Sequence, residues 1–189
     1  MMFHKLGLVN KNQKGFTFIE VMMVLAVSGI VMSGVSMTFY QLVIGSGRAN
    51  NHMIAVKQVQ DAGYFVSQDT LAAQSVVYDD PTTPGVTEFL TLRWTDWTDT
   101  PNTVRYTLED AALWCDNGTH QFQVARFIDF DPENFDFDPE NPEKTSRNFA
   151  DTNGDGIEDT LIFRVTAVVG SGSQQQSETR EYRIVPRPL

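Results

Sequence analysis

From Val21 to Gly47 the chain carries no charged side chain, and most of the residues in that stretch are apolar. Taken from Phe16 to about Val43, the segment is long enough to cross a bilayer as one helix. Its flanks set the direction. Lys5, Lys11 and Lys14 precede it, and no Lys or Arg follows until Arg48. Cationic side chains stay on the cytoplasmic side, so the leader remains inside and the remainder is exported. Gly29, Gly34, Ser28, Ser33 and Ser36 are small enough to let neighbouring helices approach closely, and they are equally ordinary membrane-helix composition. Gly45-Ser46-Gly47 marks a point where the helix is expected to bend or loosen.

The order of parts at the N-terminus is unusual. A secretory signal runs basic, then apolar, then a small-residue cleavage site. Here Lys14-Gly15-Phe16-Thr17-Phe18-Ile19-Glu20 puts the glycine before the apolar segment and a carboxylate one turn inside it. A charge in hydrocarbon costs roughly 2.5–3.5 kcal/mol on insertion scales and marks a functional group. Cleavage between Gly15 and Phe16 would create a free amine at a helix start, four residues from Glu20. There the helix dipole and unpaired N–H groups favour a carboxylate. A signal-peptidase cut after Ala26-Val27-Ser28 also fits the small-x-small rule, but it needs an apolar region interrupted by Glu20.

This arrangement resembles the class III signal of type IV pilins and type II secretion pseudopilins. The resemblance covers about the first forty residues. It implies that a prepilin peptidase cuts after Gly15 and N-methylates Phe16. It also implies that Glu20 neutralises the terminal amine of a neighbouring subunit when helices bundle in a fibre, an attraction strengthened by the low dielectric. The implied partners are the peptidase, other pilin or pseudopilin subunits and, before assembly, the inner membrane. The implied organisation is a cytoplasmic leader over 1–15, a transmembrane and assembly helix over 16–44, and an exported, periplasmic head over 45–189.

About 140 residues remain for the head, enough for one modest domain with a core. The net charge is −10 before the leader lysines are lost. That speaks against a nucleic-acid-binding face, which needs clustered Lys and Arg. Cys115 is the one cysteine, so no intrachain disulfide forms. Asn51 to about Val76 reads as an amphipathic helix, with Met53, Val56, Val59, Ala62, Val66 and Ala73 on its apolar stripe. Pro81 and Pro84-Gly85 end it in a turn. Strands follow over Glu88–Trp94, Thr103–Leu108, Gln121–Ile128 and Leu161–Val169, the last paired with Arg180–Val185. The alternation places Leu90, Leu92 and Trp94 on one face, then Val104, Tyr106 and Leu108, then Leu161, Phe163, Val165, Ala167 and Val169. The fold expected is α+β: a long N-terminal helix on an antiparallel sheet, which the resemblance implies independently. Beyond the N-terminus, Val104-Arg105-Tyr106-Thr107-Leu108 leading into Leu113-Trp114, and the close at Val185-Pro186-Arg187, resemble minor pseudopilins of the J type.

Asp151-Thr152-Asn153-Gly154-Asp155-Gly156-Ile157-Glu158-Asp159 fits the D-x-N-x-D-G-x-x-D pattern of EF-hand-like calcium loops. Asp151, Asn153 and Asp155 would aim oxygens at one centre, with the Ile157 carbonyl and Asp159 adding ligands. All-oxygen donors favour calcium over transition metals. The twelfth position is Ile162 rather than the usual glutamate, and a polar turn between strands uses the same residue types. Upstream, Phe130-Asp131-Pro132-Glu133-Asn134 and Phe137-Asp138-Pro139-Glu140-Asn141 nearly repeat. They read as an exposed acidic excursion, with Asp131, Asp136 and Asp138 as further candidate donors to the metal. Catalytic signatures are missing: His52 and His120 are isolated, and there is no G-x-S-x-G, P-loop or dinucleotide fingerprint. The chain therefore reads as a structural fibre subunit, not an enzyme. The alternative is a pilus-tip binding module in which Trp94 and Trp97 form an aromatic patch.

Overall fold

The computed structural model describes residues 15–77, 88–151 and 159–186. Helix α1 runs unbroken over Phe18–Ala72, through Gly45-Ser46-Gly47, so the expected loosening there does not interrupt it. Compact units divide between Ile44 and Gly45. The first contributes only helix among its described residues. The second holds, among its described residues, the rest of α1 and eight strands: β1 (Ser75–Val77), β2 (Glu88–Thr95), β3 (Pro101–Glu109), β4 (Ala112–Asp116), β5 (Gln121–Arg126), β6 (Ser146–Ala150), β7 (Thr160–Val169) and β8 (Gln176–Ile184). β1 to β5 form an antiparallel meander in chain order, and β6-β7-β8 form a second antiparallel sheet. The fold is the expected α+β arrangement of helix on antiparallel sheet.

In the second unit α1 buries Ala55, Val59, Ala62, Gly63, Val66 and Thr70, at steps of one, three and four that keep them on one face. Met53 is exposed and Val56 only half-buried, which corrects the expected stripe. Alanine and glycine face the sheets instead, because small side chains let a helix axis come close. Gly63 shows how close. A Cβ there would lie 2.0 Å from Cζ of Tyr182. The Tyr182 ring stacks on Phe163 at 6.1 Å between centroids, and its hydroxyl donates to the Val59 carbonyl at 3.2 Å. Gly63→Ala is therefore expected to destabilise the folded chain by about 1–3 kcal/mol, the usual cost of overpacking. Chemical denaturation measures this, and Gly63→Ala with Tyr182→Leu should recover part of the loss. An unchanged midpoint would mean that the ring moves aside freely.

The strands bury what their alternation promised. Leu90, Leu92, Val104, Tyr106, Leu108, Leu161, Phe163, Val165, Ala167 and Val169 are all buried, and Trp94 packs against them half-buried. Cross-strand register joins them in rows: Leu92 with Val104, Leu90 with Tyr106, Tyr106 with Cys115, and Leu108 with Leu113. A bulge between Glu88 and Leu90 breaks the period, so Phe89 is buried beside Leu90. Helix α1 ends at Ala72, earlier than expected, and Ser75–Val77 joins the sheet beside β2. β8 begins at Gln176, ahead of the expected Arg180, and pairs with β7 along its whole length. Its polar residues have partners on β7: Thr179 Oγ1 lies 2.9 Å from Thr166 Oγ1, and Arg164 donates to Glu181 at 2.7 Å. The intervening turn carries Gly170 at φ +85, where a Cβ would also meet Asn51 Nδ2 at 2.4 Å. Glycine meets both demands.

Buried charge ties the sheets. Arg147 on β6 is only 4% exposed at its side chain. Its guanidinium lies 5.6 Å from the Phe89 ring centroid and 5.7 Å from that of Phe135, and it donates to the carbonyls of Phe89 and Glu88. Glu88, itself buried, pairs with Arg105 at 2.5 Å and accepts from the Thr91 hydroxyl at 3.1 Å.

Candidate functional site

The helix start is built from Thr17 to Glu20. Gly15, Phe16 and Thr17 precede the helix and are exposed, Phe16 to 82%. The Glu20 N–H donates to the Thr17 carbonyl at 3.1 Å and reaches Thr17 Oγ1 at 3.4 Å, and the Val21 N–H donates to the same carbonyl at 3.2 Å. Thr17 is thus the N-cap and Glu20 the third helical residue, the spacing of a capping box. Thr17-Phe18-Ile19-Glu20 spells that box in the sequence itself. Glu20 consequently sits at the positive end of the helix with its carboxylate exposed.

Gly15 does not need to be glycine for any reason inside the chain. A Cβ there meets nothing within 4 Å, and its φ lies outside the left-handed region. Gly29, Gly34 and Gly45 likewise have open space where a side chain would stand.

Eighteen large apolar side chains between Phe16 and Val43 are exposed. Burial of each is worth roughly 1.5–3 kcal/mol, so a surface of this extent marks an interaction with lipid or protein. The helix is long and apolar enough to cross a membrane. Hydroxyls in this stretch fold back on their own backbone: Ser33 Oγ donates to Ile30 O at 2.8 Å and Thr38 Oγ1 to Gly34 O at 2.9 Å. Such bonds keep polar groups satisfied where water is excluded.

The acidic loop is framed but not filled in. Asn153, Asp155 and Ile157 lie outside the described residues. Asp151 and Asp159 bracket the connection from β6 to β7, whose ends are held by pairing of Ala150 with Thr160. Asp151 is exposed; Asp159 is half-buried, donates its N–H to Ala150 O at 3.1 Å and accepts the Thr160 hydroxyl at 2.9 Å. Ile162, the twelfth position, lies within β7 opposite Asn148 and Arg183. The upstream acids are engaged locally. Asp131 and Asp138 accept the N–H groups of Glu133 and Glu140 at 2.9 and 2.8 Å, and Asp136 lies 3.8 Å from Arg147. The bonds from the Asn141 side chain and the Glu140 N–H hold the Asp138 carboxyl below its ordinary pKa. Among the described residues no three His, Cys, Asp or Glu side chains converge as a metal site.

Cys115 and its neighbours form a clasp between α1 and the meander. The Tyr106 hydroxyl donates to Asp69 Oδ2 at 2.6 Å. Burial raises the Asp69 carboxyl despite that bond, and burial together with Asp69 raises the Tyr106 phenol. Burial is also the main cause that pushes the Cys115 thiol up to about 11. A thiol so protonated is a poor nucleophile at neutral pH. His52 and His120 are exposed and far apart in sequence from any other histidine of the described chain.

A family model described as the prokaryotic N-terminal methylation motif matches residues 10–36. Comparison with curated proteins and with solved structures finds no match. The matched segment holds Lys14, Gly15, Phe16, the Thr17 cap and Glu20, and continues into the exposed apolar helix. That motif leads a long helix that packs on antiparallel sheet, so the chain carries a prokaryotic N-terminal methylation motif on a pilin-like α+β arrangement.

Proposed function

We propose that this chain is a structural, non-enzymatic subunit of a pilus-like fibre: a minor pilin or pseudopilin of a type IV pilus or a type II secretion pseudopilus. The observation that carries the reading is the methylation motif over 10–36 running into a helix whose large apolar side chains are exposed as far as Val43. Residues 1–15 form a leader removed by a prepilin peptidase, 16–44 hold the subunit in the inner membrane and then in the fibre core, and 45–189 form a periplasmic head. Among such subunits the J-type minor pseudopilin fits the β3–β4 sequence and the closing β-pair.

In the membrane Glu20 is costly unless paired. A methylated amine at Phe16 of an adjacent subunit supplies the opposite charge and ties assembly to one axial register. The open space around Gly29 and Gly34 lets a neighbouring helix approach closely. Glu20→Ala is expected to leave cleavage largely intact and to reduce incorporation into fibres severely. Sheared fibres, blotted for the mutant and wild-type chains, measure this. Equal incorporation removes Glu20 from assembly, and a cleavage defect of the same size reassigns it to processing.

Calcium fits the donor chemistry of the β6–β7 connection. Asp151, Asn153, Asp155, the Ile157 carbonyl and Asp159 are all oxygen donors, and the metal would neutralise carboxylates crowded into one hairpin. Without a glutamate at Ile162 the affinity belongs in the micromolar-to-millimolar range. An ion at a hundredfold excess over its dissociation constant stabilises the fold by about 2.7 kcal/mol. For a domain of this size that is a rise in melting temperature of roughly 5–10 °C. EDTA should reverse the rise, and Asp151→Ala with Asp155→Ala should abolish it. A melting curve indifferent to millimolar calcium would reduce the loop to a polar turn and leave the fibre-subunit reading intact.

A further inference from the structure

The turn between β2 and β3 holds an indole in open solvent. Trp97 is 96% exposed, although an unburied indole forgoes a large hydrophobic gain. The turn beneath it is tightly bonded. Asp96 Oδ1 accepts from the Thr98 N–H at 2.8 Å, the Thr98 hydroxyl at 2.6 Å and the Thr100 N–H at 3.0 Å. Asp96 N–H donates to Thr100 O at 3.0 Å, and Gln74 Oε1 receives the Thr95 N–H at 2.9 Å. Bonds from Thr98 and Thr100 hold the Asp96 carboxyl below its ordinary pKa. A rigid support of this kind lets an aromatic ring bind without a large ordering cost.

Trp97 overhangs a groove. A cleft of about 640 Å³ lies between it, Trp94 and the α1 residues Gln68 and Leu71. A second of about 380 Å³ is also lined by Gln68 and Trp94 and continues past Asn102 to Asn117 and Phe122. Aromatic faces thus alternate with side-chain amides. No Lys or Arg lines either cleft, so nothing there attracts phosphate, sulfate or a carboxylate. The acids are already committed: Asp69 to the Tyr106 hydroxyl, Asp96 to its own turn. What is left to offer a ligand is uncharged. The Gln68 amide is exposed and takes part in no hydrogen bond among the described residues, and the side-chain bonds of Asn102, to Thr100 O at 3.1 Å and to the Asp96 carboxylate, use its Nδ2 and leave its Oδ1.

We propose that this groove binds a neutral oligosaccharide chain, with sugar rings stacked on Trp97 and Trp94 and hydroxyls held by the amides of Gln68 and Asn102. The apolar face of a pyranose ring lies flat on an indole, and its edge hydroxyls need groups that both donate and accept, which amides do. The groove suits this ligand better than a charged one because it has aromatic surface and free amides but no free charge. This goes beyond assembly: it gives the head a ligand, independent of how the N-terminal helix is used.

The test titrates the full chain, in a detergent without a sugar headgroup, with cellohexaose, chitohexaose and maltohexaose, following calorimetry and indole fluorescence. At least one should bind saturably. Trp97→Ala should weaken it about tenfold, equivalent to ~1.4 kcal/mol, and Gln68→Ala severalfold. Phe127→Ala, an exposed aromatic outside both clefts, should bind as wild type. Because Trp97 is almost wholly in solvent, its loss leaves the melting temperature unchanged, which separates a binding effect from unfolding. Failure of all three sugars to bind overturns the proposal. So does equal binding by Trp97→Ala, or tighter binding of heparin or DNA than of any neutral sugar.

Discussion

Replacing Gly15 with phenylalanine is expected to abolish maturation, leaving a chain that keeps its leader when coexpressed with a prepilin peptidase. Wild type should instead begin at methylated Phe16. The size of the effect follows from where the need for glycine lies. Within the chain a side chain at 15 is free: a Cβ meets nothing within 4 Å and the backbone is not left-handed. The fold would not notice the substitution. Only an external slot that grips the backbone closely would reject it, and close approach is what glycine permits. Gly29→Phe is the matched control, since that position is equally open and lies within the helix. Intact mass of the purified chains reads the result. A wild-type terminus at Gly29 would place the cut at Ala26-Val27-Ser28 and overturn the assignment; normal maturation of Gly15→Phe would remove Gly15 from the recognised motif.

What the sequence reveals about this fold depends on whether one residue's environment is carried by its own pattern. β3 and β7 alternate cleanly, and their inner faces are those the alternation names. β4 is not announced in the sequence: the turn before it, Asp110-Ala111, has φ of 50 and 54 but neither glycine nor asparagine. In β6, Ser146-Arg147-Asn148 has the composition of a surface, whereas Arg147 is buried by partners from β2 that lie far away in sequence. Met53 is the larger apolar residue, but Ala55 is the one buried, because close helix–sheet packing selects the smaller side chain. At the N-terminus the situation reverses. The methylation motif over residues 10–36 is legible because it lies in linear sequence, and the capping role of Thr17 inside it shows in its hydrogen bonds. The proposed calcium loop is a pattern of oxygen donors in the sequence whose central residues lie outside the described structure.

Arg147→Ala should be the most destabilising single change in the head, by about 3–5 kcal/mol, the range for removing one partner from a buried charged network. Three losses coincide. The carbonyls of Glu88 and Phe89, at the β2 bulge, lose their guanidinium donor. A buried carbonyl left unsatisfied costs about 1–3 kcal/mol. The Phe89 and Phe135 rings lose the cation between them, and the vacated volume opens inside the contact of two sheets. Arg147→Lys should recover only part, because an ammonium cannot present a planar fork to two carbonyls while lying flat on aromatic rings. The partner acid behaves differently. Asp136 is 73% exposed and 3.8 Å from Arg147, so Asp136→Asn should cost under about 1 kcal/mol, as screened surface pairs do. Denaturant midpoints of the full chain and these three variants decide it. If Arg147→Ala and Asp136→Asn fall equally, Arg147 serves only as a surface counter-ion, and the two sheets are joined by their apolar core alone.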